Sequence, residues 1–228
     1  MILSNIEIQK AIDDGRLQII PDPQPRNPES LSCPYNTTAV DLHLGVALAV
    51  PKEGPFNYDL RKSGFATFLA RNCEHKQLTQ DGYVLEPKQF VLGLTLERVA
   101  LPIISGRTLA ARIEGKRSVA RCGLLVHFTA PTIHAGFDGT LTLEMINLGN
   151  AGFTLFPGMA ICQLILESVF GDPSANPSQF QGQITPAGTP GYRTSNVFIC
   201  EPLYDSHPAS NYAQVRIYHW PRPTRILH

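Results

Sequence analysis

The chain has no C-x-x-C pair, no G-x-x-x-x-G-K-[ST] loop, no G-x-S-x-G elbow and no H-E-x-x-H helix. Those absences set aside zinc ribbons, P-loop nucleotidases, α/β-hydrolase triads and zincin-type proteases. The H-x-E followed by P-C-x-x-C that marks zinc-dependent nucleobase deaminases is also missing. Neither sign of charge is in excess, with 19 Lys+Arg against 19 Asp+Glu, so a binder driven by counterion release from nucleic acid is not expected. No apolar run reaches the roughly 18 residues that would span a bilayer. The opening M-I-L-S-N-I-E-I lacks a basic segment before its apolar residues, and no signal peptide is expected. The five cysteines are odd in number and widely spaced, which fits reduced thiols in a cytoplasmic protein. With 43% apolar and only 17% charged residues, the chain has the material for a core. Its 19 Pro and 18 Gly favour turns over long helices.

Local patterns predict a mainly β domain entered by one short helix. Ser4 followed by Glu7 fits a capping box. Ile8, Ala11 and Ile12 then form an apolar face, and Gly15 stands where a C-terminal cap belongs. After a Pro-rich loop from Pro21 to Pro34 the period changes to two. In T-A-V-D-L-H-L-G, Val40, Leu42 and Leu44 share one face and Asp41 and His43 the other. Residues 46–50 read as a further short run and 83–98 as strand–turn–strand. More strands are expected at 107–113, 123–129, 140–147, 153–156 and 159–167. Short segments about ten residues apart, broken by Gly, Pro and Asn, indicate an antiparallel sandwich or barrel. Residues 171–191 are rich in Pro, Ser, Gln and Gly and read as a lid-like loop. Beyond it lies an extension, 192–228, with candidate strands at 197–200 and 212–220.

Three segments carry candidate chemistry. I-E-G-K-R-S-V-A-R gathers Lys116, Arg117, Ser118 and Arg121 beside a glycine, a density of cationic donors that suits a phosphate chain. The same residues also make an ordinary solvated basic turn. In residues 140–147, Thr140, Thr142 and Glu144 share a face opposite Leu141, Leu143 and Met145. That face is either solvent-exposed or the lining of a pocket in which a carboxylate shuttles protons. Phe137, next to Gly136, is either a core aromatic or a flat surface for a sugar. Q-F-Q-G-Q (179–183) offers three amides around one aromatic. His134 lies near the same stretch, and His43, His75 and His127 make no metal-like spacing with it, so no protein-bound transition metal is expected.

Taken in order, these segments resemble the dCTP deaminase branch of the dUTPase-like superfamily over most of residues 1–190. The resemblance rests on the opening helix, A-V-D-L-H-L-G (39–45), L-E-P-K-Q-F-V-L-G-L-T-L-E (85–97), E-G-K-R-S-V-A-R-C-G-L-L-V-H (114–127), T-L-T-L-E (140–144) and F-P-G-M-A-I-C-Q-L (156–164). It implies a distorted β-barrel or jelly-roll over 1–170, a homotrimer with active sites between subunits, and magnesium carried by the nucleotide triphosphate, without zinc. The implied reaction is hydrolytic deamination of dCTP to dUTP and ammonia. Glu144 matches the catalytic glutamate and Ala130 a backbone position that helps hold base and water. Phe137 matches the aromatic under the deoxyribose, Lys116, Ser118 and Arg121 the phosphate set, and Gln183 the lid glutamine.

The chain departs from the family pattern at four places. Arg117 stands where the family has a serine that helps organise the attacking water. His134 replaces an Asp that contacts the sugar side and that dUTPases use to activate water. Gln179-Phe180 replaces a Lys-Tyr pair, and residues 192–228 match nothing in the family. Three other outcomes therefore stay open: dUTP hydrolysis to dUMP and diphosphate, alone or coupled to deamination; a nucleotide-binding protein without catalysis; and an enzyme with a changed substrate, such as a modified deoxycytidine nucleotide, for which His134 and Gln179 are natural places.

Overall fold

The computed structural model describes residues 1–59, 61–62, 64–176 and 181–187. Gln179, Phe180 and the expected strands at 197–200 and 212–220 lie outside the described residues. Helix α1 (Asn5–Asp13) opens on the expected cap, with Ser4 Oγ accepting from the Glu7 N–H at 3.3 Å. The box is only half formed, because the Glu7 carboxylate pairs with Lys10 Nζ at 2.7 Å instead of reaching back. Ile8 and Ala11 are fully buried, and Gly15 takes the left-handed conformation (φ 74°) that ends the helix.

Ten strands join one antiparallel sheet that curls around a single core. Along its main path the order is β8 (Leu124–Val126), β10 (Asp138–Asn147), β6 (Phe90–Ala100), β3 (Ala39–Pro51), β12 (Ala160–Ser168), β7 (Leu109–Gly115) and β9 (Thr132–Ile133). Strand β1 (Gln18–Ile20) adds to β6, while β2 (Tyr35–Asn36) and β4 (Cys73–Gln77) add to β3. The stretch expected as two short runs from Thr38 to Val50 is instead one 13-residue strand, β3 (Ala39–Pro51), that changes partners midway. Its first half pairs with β12, and its second half pairs with β6 and β4. The change falls at Gly45, where an added Cβ would stand 3.1 Å from the Leu94 carbonyl oxygen and 3.2 Å from that of Thr95. The expected strand–turn–strand at 83–98 is present, but its first strand, β5 (Tyr83–Leu85), pairs with β11 (Phe153–Leu155) in a separate ribbon and not with β6.

Val40, Leu42, Leu44, Leu143, Met145 and Leu164 are fully buried at the centre of the core. Gly93 lets β6 pass under them, since a Cβ there would meet Met145 Cε at 2.7 Å and Leu44 Cδ1 at 3.1 Å. Helix α2 (Phe65–Asn72) and β4 form an excursion with no counterpart in the sequence reading. The basic turn at 116–121 contains one helical turn, α3 (Arg117–Ala120), between β7 and β8. Among the described residues no helix is long and apolar enough to cross a membrane.

Candidate active site

Strand β10 carries the candidate acid and is held from several sides. Its burial alternates over its whole length, with Leu141, Leu143 and Met145 inward and Thr140, Thr142 and Glu144 on the half-buried face. The register against β6 slips between Thr140 and Thr142. The Leu141 N–H at this bulge is taken by Thr95 Oγ1 at 3.0 Å, and that hydroxyl donates to the Glu97 carbonyl at 2.7 Å. At the far end Asn147, fully buried, donates to the carbonyls of Leu85 (2.9 Å) and Ala151 (2.8 Å) and accepts from the Gly149 N–H (2.8 Å). Its polar groups are all satisfied, so it pins the strand three residues beyond Glu144.

Glu144 keeps 30% of its side chain exposed, sheltered without being sealed. Strand β8 runs beside it, and the next residue, His127, donates its backbone N–H to the Glu144 carbonyl at 2.9 Å. His127 Nε2 lies 2.7 Å from the exposed Ala130 carbonyl, and its Nδ1 lies 3.9 Å from Glu144 Oε2. Glu144, His127 and Ala130 thus form one corner, joined to α3 through β8. On α3 and its C-cap, Arg117, Ser118 and Arg121 are all exposed, and neither arginine has an ion-pair partner among the described residues.

Lys116 is placed differently from its neighbours. Its ammonium is bound to Asp41 Oδ2, and only 24% of the lysine side chain and 11% of the aspartate side chain are exposed. Asp41 Oδ1 accepts from Asn36 Nδ2 at 2.8 Å and Gln163 Nε2 at 3.1 Å. Two strand positions away His43 Nδ1 lies 2.6 Å from Glu97 Oε1, while the His43 backbone N–H donates to Oε2 at 2.9 Å. The hydrogen bond to Glu97 holds the His43 imidazole above its ordinary pKa. Burial pushes the neighbouring Cys162 thiol up, making it a neutral packing group.

The remaining candidates gather at the other end of β10. Phe137 belongs to the main core and shows little surface to a ligand within this chain. His134 is exposed on the turn before β10, its carbonyl accepting from the Phe137 N–H at 3.1 Å. Gln183 is buried against β10, with Nε2 donating to the Thr140 carbonyl (2.8 Å) and its backbone carbonyl accepting from Thr140 Oγ1 (2.9 Å). Thr140 is four residues from Glu144, or about 13 Å at ~3.3 Å per strand residue. One protomer therefore presents two groups: the Glu144–His127–α3 corner, and the Phe137–His134–Gln183 end. Sequence reading missed His127, Asp41 and Asn147 as parts of this architecture. Their polarity was visible, but their partners are set by tertiary packing.

A curled β domain carries a half-sheltered carboxylate on β10 and, on the turn before β8, two exposed arginines without an ion-pair partner among the described residues. A family model described as dCTP deaminase-like matches residues 2–169. The chain is 35% identical over 207 residues to the dUMP-forming dCTP deaminase of Corynebacterium efficiens, covering 84% of this chain and 95% of that one. It is 34% identical over 197 residues to the dCTP deaminase of Rhodospirillum rubrum, covering 82% and 94%. Among solved structures, the 2'-deoxycytidine 5'-triphosphate deaminase of Agrobacterium tumefaciens superposes with a TM-score of 0.53 at 20% identity. That match covers 74% of this chain and 48% of the other, and supports the fold. The chain belongs to the dCTP deaminase-like family.

Proposed function

We propose that the protein hydrolyses the exocyclic C–N bond of dCTP, giving dUTP and ammonia, in a cytoplasmic homotrimer. The observation that carries this reading is Glu144, half sheltered on a strand whose edge partner leads back to Arg117 and Arg121, which have no ion-pair partner among the described residues. Glu144 takes a proton from water as the oxygen attacks C4 of cytosine and delivers it to N3, a task suited to a carboxylate in a partly desolvated site. Arg117, Ser118 and Arg121 hold the triphosphate, with magnesium arriving on the substrate. The separation of the two groups along β10 supports a site completed between subunits, with the exposed His134 turn brought to the nucleotide by a neighbour, while Phe137 and Gln183, buried in their own chain, shape that end from within.

A second reading is favoured by the Corynebacterium relative, whose name specifies dUMP as product. Against it, the turn before β10 carries His134 where a water-activating carboxylate is wanted. Incubation with dCTP and magnesium, with ammonia and diphosphate followed separately, decides between them. Ammonia without diphosphate is the expected result. Equal amounts of both would establish the dUMP-forming reaction, and neither, with nucleotide bound, would leave a binding protein.

Arg117 is exposed and has no ion-pair partner among the described residues, and its guanidinium is assigned to phosphate. Arg117→Ser is expected to raise the Michaelis constant for dCTP by about tenfold, the worth of one charge-assisted phosphate contact, with kcat little changed. A rise in kcat would show instead that the guanidinium depresses the basicity of Glu144.

A further inference from the structure

We infer that His127 is a second catalytic residue: its Nδ1 accepts a hydrogen bond from the water that attacks the pyrimidine and shares the proton traffic with Glu144. The inference rests on the deamination reading above and adds a group that the reading does not contain.

Three independent observations converge on this ring. First, its tautomer is fixed. Nε2 faces the Ala130 carbonyl at 2.7 Å, and a carbonyl can only accept, so Nε2 carries the hydrogen. In the neutral ring Nδ1 is then an acceptor. Second, Nδ1 is buried and has no hydrogen-bond partner among the described residues, although the side chain as a whole is only 12% exposed and so held firmly in place. A buried polar atom without a partner is uncommon and calls for a reason. Third, the backbone at His127 is left-handed, with φ 68°, a conformation that a non-glycine residue adopts at a cost and that clusters at functional sites. That conformation coincides with the backbone bond to the Glu144 carbonyl and sets the ring beside the glutamate.

The separation between Nδ1 and Glu144 Oε2 supplies the chemistry. At 3.9 Å the two are too far apart for a direct hydrogen bond. A single oxygen between them can lie within hydrogen-bond reach of both, about 2.6–3.2 Å from each. Water placed there donates one hydrogen to the carboxylate and the other to the imidazole, leaving a lone pair for C4.

The reaction needs two proton transfers, and the pair divides them. As the water oxygen bonds to C4, Glu144 takes the first proton and gives it to N3, while the C4=N3 π pair moves onto N3. The hydroxyl proton of the tetrahedral intermediate passes to His127 Nδ1 and from there to the amino group. The C4–N bond then breaks, ammonia departs, and the C4=O bond forms. The balance is dCTP and water in, dUTP and ammonia out, with both side chains returned to their starting states.

The test compares His127→Asn and His127→Gly with the wild-type protein. Both substitutes accept a left-handed backbone, and neither has a ring nitrogen that can take up a proton. Ammonia release from dCTP with magnesium gives kcat and KM, and melting temperature and dCTP binding confirm folded variants. For His127→Asn, kcat is expected to fall about 100-fold, the low end for losing one proton-transfer group, with KM within about threefold. Added imidazole is expected to restore His127→Gly by about tenfold or more, because the small cavity left at Nδ1 admits the same base. The inference is overturned if kcat is retained, if the loss falls on KM alone, or if imidazole does nothing for a folded His127→Gly that still binds dCTP. Failure of the deamination reading has a separate signature, a wild-type protein that releases no ammonia, and it would remove the role of His127 with it.

Discussion

Glu144→Gln is expected to stop ammonia release, lowering kcat by about 10⁴-fold, or roughly 5.4 kcal/mol of barrier, while dCTP still binds. The substitution keeps side-chain length and one carbonyl oxygen, so water and base can still be seated. What disappears is the ability to hold a proton between the moment it leaves water and the moment N3 receives it. The structure also makes the fold indifferent to the change. Glu144 points away from the core face of β10, the core residues on either side of it in the chain, Leu143 and Met145, are untouched, and the strand is fixed by Asn147 and by the bulge at Leu141. Titration calorimetry with dCTP and an ammonia assay on the same preparation give the two numbers needed. Turnover that survives at more than a few per cent would remove Glu144 from the chemistry. Loss of binding with normal turnover per bound complex would make it a substrate anchor.

How much of this was legible beforehand depended on how local the determining physics is. The face assignment of β10 came directly from alternation, because a half-buried strand writes its two environments into odd and even positions, and the burial follows it residue by residue. The start of α1 was equally local, a hydroxyl meeting an N–H three residues on. The α2 excursion was not readable for the converse reason. Phe65–Asn72 buries no residue, and its cap position is Gly64, which offers no side-chain bond. The change of partner within β3 depends on carbonyls of β6 lying close to Gly45, some fifty residues away in sequence. The same distinction divides the site. The order of motifs pointed to Glu144 and to the basic turn, but the two surroundings that change their meaning are tertiary: the His127 ring beside the acid, and the Asp41 carboxylate beside Lys116.

That last pairing leads to the second large effect, which bears on stability. Lys116→Met is expected to destabilise the protein by about 3 kcal/mol, the low end of the cost of stripping one partner from a buried ion pair. Asp41 would then keep its charge in a site where its side chain is 11% exposed, compensated only by the amides of Asn36 and Gln163. Those two donors argue for the low end, since they continue to satisfy Oδ1. For a domain of this size the loss corresponds to a melting temperature lowered by roughly 6–12 °C. Adding Asp41→Asn to Lys116→Met should recover most of it, because the amide still accepts from Asn36 and Gln163 and no charge is left unpaired. A double-mutant cycle on melting temperatures therefore gives a coupling energy between the two sites. The alternative, in which Lys116 spends its charge on the triphosphate as the family resemblance implies, has a different outcome: a raised Michaelis constant, a melting temperature close to wild type and no coupling to Asp41. The geometry favours coupling, because three donors converge on the one carboxylate that holds this lysine, while the arginines one and five residues further along remain free for phosphate.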